Sequence, residues 1–538
     1  MQNRKLAAAL AAALIHAPLA HAQSVDWSVV AGDDGRVITA GLPNGTGRNI
    51  TDSILGDIGR NQVGFRISSP DNLAGYWAYQ QGTFVRMTEL GVSTSRGPGR
   101  SGAEAAHVFL NVYTGNGAAA PDGQRAFSGR AGEAGNTATA TYGVWRWDGT
   151  HNVEAARTLT DGPLGPGMGA DWEFPNDSTF ASARSLDSGG ILMDVTLKSP
   201  TGGSGRGIVK HVAGQGNVPC LRIGATEAAL APGLVAGDSF QTPYSIDNNL
   251  AVTAAGRVYG VFNASGSRAG IWEICSGAPR AIVSNGQTGS QGPAIGIATA
   301  TFTTSIEAPY PGLAGQFYFF SGFRRTTGAN SEYGLFWNNG MQNRVMAFAD
   351  ASGFYGPNWL NATWRTFDTT SLSTSGEYAA FSASVNTDDS TPTGFWRVRA
   401  GQRPQLLALI GLTGQYGPEP NRTWRSFGAS AVMANGDLLL EARTDPGDTY
   451  ALWLLEVGRA PRKILAPGQA ISIATTTGTV QTTVSDFDIA NGGSDHSRGR
   501  DLWAGADGTV LVSALVPNYG EVLLTAKTSD RIFRNDFE

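Results

Sequence analysis

The chain has 538 residues, of which 15% are charged, 41% hydrophobic and 9% aromatic, and its formal net charge is −5. So mild a charge over this length argues against a nucleic-acid footprint or a patch for anionic membranes. The 72 glycines and 25 prolines together stay below the share that marks a disordered chain, and 13 Trp with 23 Phe argue for a packed protein.

At the N-terminus, Arg4 and Lys5 precede a mostly apolar run over residues 6–19, and Ala20-His21-Ala22 forms a small-x-small cleavage signal before Gln23. This pattern predicts a secretory signal peptide over residues 1–22. The run is too short to span a bilayer, and no later stretch reaches the roughly 18 apolar residues that a span needs. The expected mature chain, residues 23–538, is exported to the periplasm or beyond, with no transmembrane segment.

Three columns then recur along the chain. The first is a small residue followed two positions later by an aromatic or apolar one, starting at Gly75, Gly143, Gly207, Gly270, Gly334, Gly394, Ala451 and Gly520. The second is a turn holding Gly123, Gly189, Gly256, Gly315, Gly376, Gly436 or Gly508, followed by an apolar run; a weaker first member ends at Phe65. Asp-Gly and Asn-Gly at such a place supply the positive φ of a tight hairpin. The third is a single Phe upstream of that turn, at 109, 174, 240, 302, 367, 427 and 487, with Ile50 in the first unit. The columns run in register with a period of about 64 residues, eight times over.

Within a unit, apolar and β-branched runs bounded by turn residues predict four short strands, and no long stretch has helical periodicity. Repeated four-stranded meanders predict an all-β fold, a β-propeller of eight four-stranded blades, with seven as the alternative if a terminal unit is incomplete. Residues 27–32, WSVVAG, resemble the fourth-strand pattern KILAPG, so an N-terminal strand is expected to complete the last blade and close the ring. The repeats fill residues 23–530 as one domain, leave a tail at 531–538 and imply a monomer.

Seven of the eight units also carry Gly-Pro or Pro-Gly, at Gly97-Pro98, Gly165-Pro166, Pro232-Gly233, Gly292-Pro293, Gly356-Pro357, Gly417-Pro418 and Pro467-Gly468. With the Gly-x-Trp column, this pattern resembles uncharacterised exported bacterial repeat proteins of β-propeller type; the resemblance implies the fold and no established activity. The final residues, RIFRNDFE, resemble the IFxDGFE-type tails of many exported gamma-proteobacterial proteins, with Asn535-Asp536 where Asp-Gly is common.

Chemistry-bearing motifs are sparse. Cys220 and Cys275 are expected to form a disulfide in an exported protein, the alternative being two buried thiols. No His pair has metal-binding spacing, so neither metal nor cofactor is expected. The acidic stretch 486–495 departs from the EF-hand spacing and reads as a solvated turn sooner than a cation site. The richest candidate site joins units five to seven. There Tyr355 and Trp359 precede Thr363-Trp364-Arg365-Thr366-Phe367, and Tyr416 precedes Thr423-Trp424-Arg425-Ser426-Phe427. Tyr355, Trp359, Trp364, Arg365, Tyr416, Trp424 and Arg425 could stack on sugar rings or anchor a partner protein; alternatively Trp364 and Trp424 fill the contact between blades. Blade-to-blade crossings and the loops between second and third strands are expected on one common face. Two functions follow: an exported non-enzymatic binding or scaffold protein for a polysaccharide or surface protein, or an exported hydrolase or lyase with its site at the channel mouth.

Overall fold

The computed structural model describes residues 25–528, apart from 33, 43–48, 51–63, 69–73, 81–82, 114–124, 176–179, 187–189, 242–249, 254, 389, 446–449, 488–501 and 505–507. The expected signal peptide, the C-terminal tail and most of the acidic stretch 486–495 lie outside the described residues.

The described strands form nine antiparallel sheets. Seven are meanders of strands consecutive in the chain: blade 1 (residues 49–86), blade 2 (108–157), blade 3 (180–222), blade 4 (240–284), blade 5 (301–348), blade 6 (363–409) and blade 7 (423–465). The eighth sheet is composite. Leu502–Ala504, Thr509–Val516 and Gly520–Lys527 are completed on the outside by the N-terminal strand Ser28–Gly32. Beside it stands a two-stranded hairpin, Ala470–Thr475 with Gly478–Thr483.

The expectation of eight four-stranded blades is thereby corrected. The fold has seven blades of small sheets, the count expected above only as the alternative; each is built from one stretch of chain, and two of them have five strands. In blade 4 the first strand is split into Phe240–Gln241 and Leu250–Val252, and in blade 5 into Thr301–Ile306 and Tyr310–Pro311. In blade 5 the break contains Pro309, which has no N–H to give a ladder. The hairpin occupies residues where a crossing was expected. It is tied to the N-terminal segment, with Ile38 N donating to Ala474 O and Thr476 N to Arg36 O, both at 2.9 Å.

Adjacent blades are joined by a repeated backbone hydrogen bond. The residue just past one fourth strand donates to the carbonyl of the next blade's column residue: Gly91 to Phe109 (3.1 Å), Leu159 to Phe174 (2.8 Å), Gly224 to Phe240 (2.9 Å), Gly286 to Phe302 (3.0 Å) and Asp350 to Trp364 (2.9 Å). The ring of Phe174 meets Phe180, at 5.1 Å; in blades 2, 4, 5, 6 and 7 the column ring meets the third-strand aromatic edge to face. Centroids are 5.0 Å apart for Phe109–Trp145, 5.3 Å for Phe240–Trp272, 4.9 Å for Phe302–Phe336, 4.8 Å for Trp364–Trp396 and 5.0 Å for Trp424–Trp453. Such pairs stabilise beyond the area they bury. The column therefore continues through Trp364 and Trp424. Phe367 and Phe427, the expected members, stand three residues further along.

The Gly-x-Trp column has an equally local cause. In blades 2 to 7 the third and fourth strands shift register at the residue just before the column aromatic or apolar side chain, as at Val144/Trp145 and Phe395/Trp396. The bulge brings a fourth-strand carbonyl against the small residue. A Cβ at Gly143 would lie 2.7 Å from Ala156 O, at Gly270 2.3 Å from Val283 O, and at Gly394 2.6 Å from Ala408 O. In the composite sheet, Val522 pairs with Ala514 as Ala451 pairs with Ala442. The eighth member is thus Val522-Leu523-Leu524, two residues beyond the expected start at Gly520.

Candidate functional site

The seven residues singled out in the sequence separate into three settings. Trp364 and Trp424 are fully buried, at 0% and 1% exposure. Their indole Nε1 atoms donate to the carbonyls of Tyr355 and Tyr416, both at 2.7 Å. These two Trp belong to the packing between blades and offer no surface to a ligand.

Tyr355, Trp359 and Tyr416 lie on the crossings, which do not stay on one face. Asn343 begins a fourth strand directly after the turn from the third, and its Nδ2 donates to Gly292 O in the preceding crossing at 3.0 Å. Asn152 and Asn217 repeat the bond, to Gly97 O at 3.0 Å and Gly165 O at 2.7 Å. The adjoining Pro carbonyl is taken by the column Trp: Trp145 to Pro98 (2.9 Å), Trp272 to Pro232 (3.0 Å) and Trp396 to Pro357 (2.8 Å). The Gly-Pro element is therefore a latch that holds each crossing down the flank of the next blade. After the Pro, the chain turns through left-handed residues, at Gly167 and Gly169, Gly233, Ala294 and Gly296, and Asn358 and Leu360. The residue held next to them, Met168, Leu234, Ile295 or Trp359, packs half-buried on the core. Trp359 is thus a larger version of a plug present in other crossings, and its ring meets Tyr416 at 5.6 Å. Tyr355 stays exposed, beside Phe354 and over Phe348.

Arg365 and Arg425 are exposed on first strands, the edge strands of blades 6 and 7. These strands approach within 8 Å between Cα atoms, and the blade 7 strand approaches that of the composite sheet, so first strands line the ring's axis. Each Arg is the extra residue of a bulge: Trp364 pairs with Val385 and Thr366 with Ser384, while Trp424 pairs with Thr444 and Ser426 with Arg443. A bulge re-aims the side chain it expels from the ladder.

A second bulge follows in blades 6 and 7, and the first strand of blade 5 carries one bulge of its own. Thr303, Thr304 and Ser305 face the single residue Gly322, where a Cβ would lie 2.5 Å from Thr303 Oγ1. Residues 369–372 face only Phe381. Hydroxyls therefore accumulate along the axis. Thr366 Oγ1 is hydrogen-bonded to Ser384 Oγ. Asp368 Oδ1 accepts from Thr370 Oγ1 at 2.7 Å, and Ser371 Oγ donates to the Asp368 carbonyl at 2.7 Å. In blade 5, Tyr333 Oη donates to Glu307 Oε1 at 3.4 Å, and burial holds that phenol above its usual range. Sequence reasoning passed over these residues, although the Ser/Thr runs TFTTS and FDTTSLSTS were visible in it.

Two buried clusters of charge elsewhere are part of the packing. Buried Glu154 bridges Arg100 (2.7 Å) and Arg157 (2.5 Å), and Arg157 also reaches Glu104 at 2.7 Å. Glu273 receives Arg257 and Arg280 at 2.7 and 2.6 Å; burial would raise its carboxyl, but these bonds outweigh it and hold it below the usual range. Cys220, in the fourth strand of blade 3, is disulfide-bonded to Cys275, just past the third strand of blade 4. Among the described residues no group of three or more His, Cys, Asp or Glu is placed to hold a metal ion, and no helix is long and apolar enough to cross a membrane.

Residues 60–505 match a family of unknown function (DUF7453), and the chain belongs to that family. No curated protein matches it by sequence. Among solved structures it is similar to the β-propeller domain of the Trilobed protease from Pyrococcus furiosus, at 8% identity and TM-score 0.33, over 78% of this chain and 96% of that one. It is also similar to a post-proline cleaving enzyme from Rickettsia typhi, at 8% identity and TM-score 0.33, covering 79% of this chain but only 56% of that one. A third similarity is to the polysaccharide lyase Uly1, at 10% identity and TM-score 0.29, over 82% and 98% of the two chains.

Proposed function

We propose that this member of the family is an exported, non-enzymatic binding protein that takes a polysaccharide along the axial side of blades 5 to 7. The observation that supports this reading is the bulging of the first strands, twice in blades 6 and 7 and once in blade 5. It places Arg365, Arg425 and the hydroxyls of Thr304, Thr366, Thr370 and Ser371 along the axis, on rigid strands. Hydroxyl and guanidinium donors match the oxygen-rich surface of a sugar chain. A protein partner would need a desolvated aromatic anchor. The exposed apolar side chains instead sit mostly singly on successive crossings, as Leu159, Val235 and Ile297 do. The signal peptide expected at residues 1–22, together with the disulfide, supports an oxidising, exported setting. Affinity electrophoresis of the mature protein through gels holding different polysaccharides tests the reading. Retardation by at least one polymer, lost in a Thr304→Val/Thr370→Val variant that melts normally, is expected; free migration in every gel removes it.

A second reading draws on one contact. The Tyr333–Glu307 pair beside Ser305 is a hydroxyl-carboxylate couple of the kind used in acid-base chemistry. An exported hydrolase or lyase with this pair at its centre would shorten the bound polymer, and Glu307→Gln would stop it.

A further inference from the structure

Arg365 and Arg425 occupy one register position in neighbouring blades. In both, the preceding Trp is the column residue, its Nε1 donates to a crossing Tyr carbonyl at 2.7 Å, and the Arg is the bulged residue. At the same position, blades 2 to 5 carry Leu110, Pro175, Gln241 and Thr303. Among blades 2 to 7, positive charge at this position is thus confined to blades 6 and 7, whose first strands come within 8 Å between Cα atoms.

We propose that the polysaccharide is anionic, and that Arg365 and Arg425 hold acidic groups on it, one from each blade. The inference rests on the polysaccharide-binding reading above and narrows it to a ligand class. A guanidinium presents a planar fork of donors that fits a carboxylate or a sulfate ester in two-pronged fashion, which a neutral sugar cannot reproduce. Thr366 and Ser426, one position beyond each Arg, carry hydroxyls that complement sugar hydroxyls around the charged group. Two such contacts on rigid strands select a chain with repeated charges over an isolated anion, because the second contact forms at high effective concentration.

The test is calorimetric titration of the mature protein with polygalacturonate (carboxylate only), dextran sulfate (sulfate only) and neutral dextran and xylan. Binding to one or both anionic polymers is expected, and the arm that responds identifies the acidic group. Arg365→Ala should weaken it by about tenfold or more, and Arg365→Lys should restore only part, since the charge returns without the fork. Arg425→Ala should act similarly, whereas Arg459→Ala, in the turn after the third strand of blade 7, should bind as the parent does. Melting temperatures of all variants separate lost binding from lost folding. Equal binding to neutral polymers, unchanged by either substitution at 365, overturns the inference and leaves the broader reading standing. Binding to none of the four polymers, or to a protein alone, overturns both.

Discussion

At the scale of single residues, the column Trp side chains illustrate how one hydrogen bond separates two otherwise matched positions. Trp396 Nε1 donates to Pro357 O at 2.8 Å, whereas Trp453 Nε1, at the equivalent place in blade 7, is buried with no partner among the described residues. Trp396→Phe removes a bond and orphans a buried carbonyl; Trp453→Phe removes a buried donor that already lacks one. Urea denaturation should therefore show Trp396→Phe to be the more damaging of the two by about 1–2 kcal/mol. Equal losses would mean that the latch adds no stability. Two carboxyls make opposite pH predictions. Glu273 is held below its usual value of 4.5, so its contribution is present above that pH and is lost as acid titrates it in the folded state. Glu273→Gln should lower the melting temperature at pH 7 and converge with the parent in acid. Asp437 is raised by burial despite its bond from Asn435 at 2.7 Å, so its contribution is full below pH 3.8 and is lost as the pH rises through its folded-state value. Asp437→Asn should leave melting at pH 7 unchanged or higher; a fall would show that the charged form is the stabilising one.

At the scale of elements, the disulfide joins neighbouring blades across a sequence separation of 55 residues. Closing a loop of that length restricts the unfolded chain by about 4 kcal/mol in the chain-entropy account. The Cys220→Ser/Cys275→Ser variant should lose stability on that order in chemical denaturation; a loss below about 1 kcal/mol would place the bond's role elsewhere. The N-terminal strand has a comparable task. Ser28–Gly32 covers the outer edge of Gly520–Lys527, which would otherwise offer an unpaired strand to another chain.

Strands, turns and the closing segment were legible in the sequence because they depend on local chemistry. Gly256, Gly376, Gly436 and Gly508 do take positive φ at the turns, although at the fifth turn Ala314 does so and Gly315 does not. Register was harder to read. Counting residues led to Phe367 and Phe427, because bulges such as 369–372 add residues to a strand without adding a paired position. The split first strands of blades 4 and 5, and the hairpin in place of a crossing, hid behind near-constant spacing for the same reason. Among the candidate residues, aromatic character drew attention to Trp364 and Trp424, which the core uses. The Ser/Thr runs that line the axis looked like ordinary strand edges until pairing showed them displaced.

At the scale of the whole molecule, the ring divides its resources. Large aromatics pack blade against blade, ion pairs such as Arg257–Glu273 and Arg325–Glu332 tie strands within a blade, and the bulged first strands are left to face the axis. A rigid scaffold of this kind suits recognition of an extended chain, since the strands that carry the site need no ordering of their backbone on binding. The measurement that tests this account most directly is titration of the protein with an acidic polysaccharide, with chain length followed in the same sample. The account predicts saturable binding, weakened about tenfold by Arg365→Ala, and a polymer whose length does not change. Progressive shortening of the polymer, halted by Glu307→Gln, would contradict it in favour of an enzyme, and binding indifferent to Arg365 would place the site elsewhere on the ring.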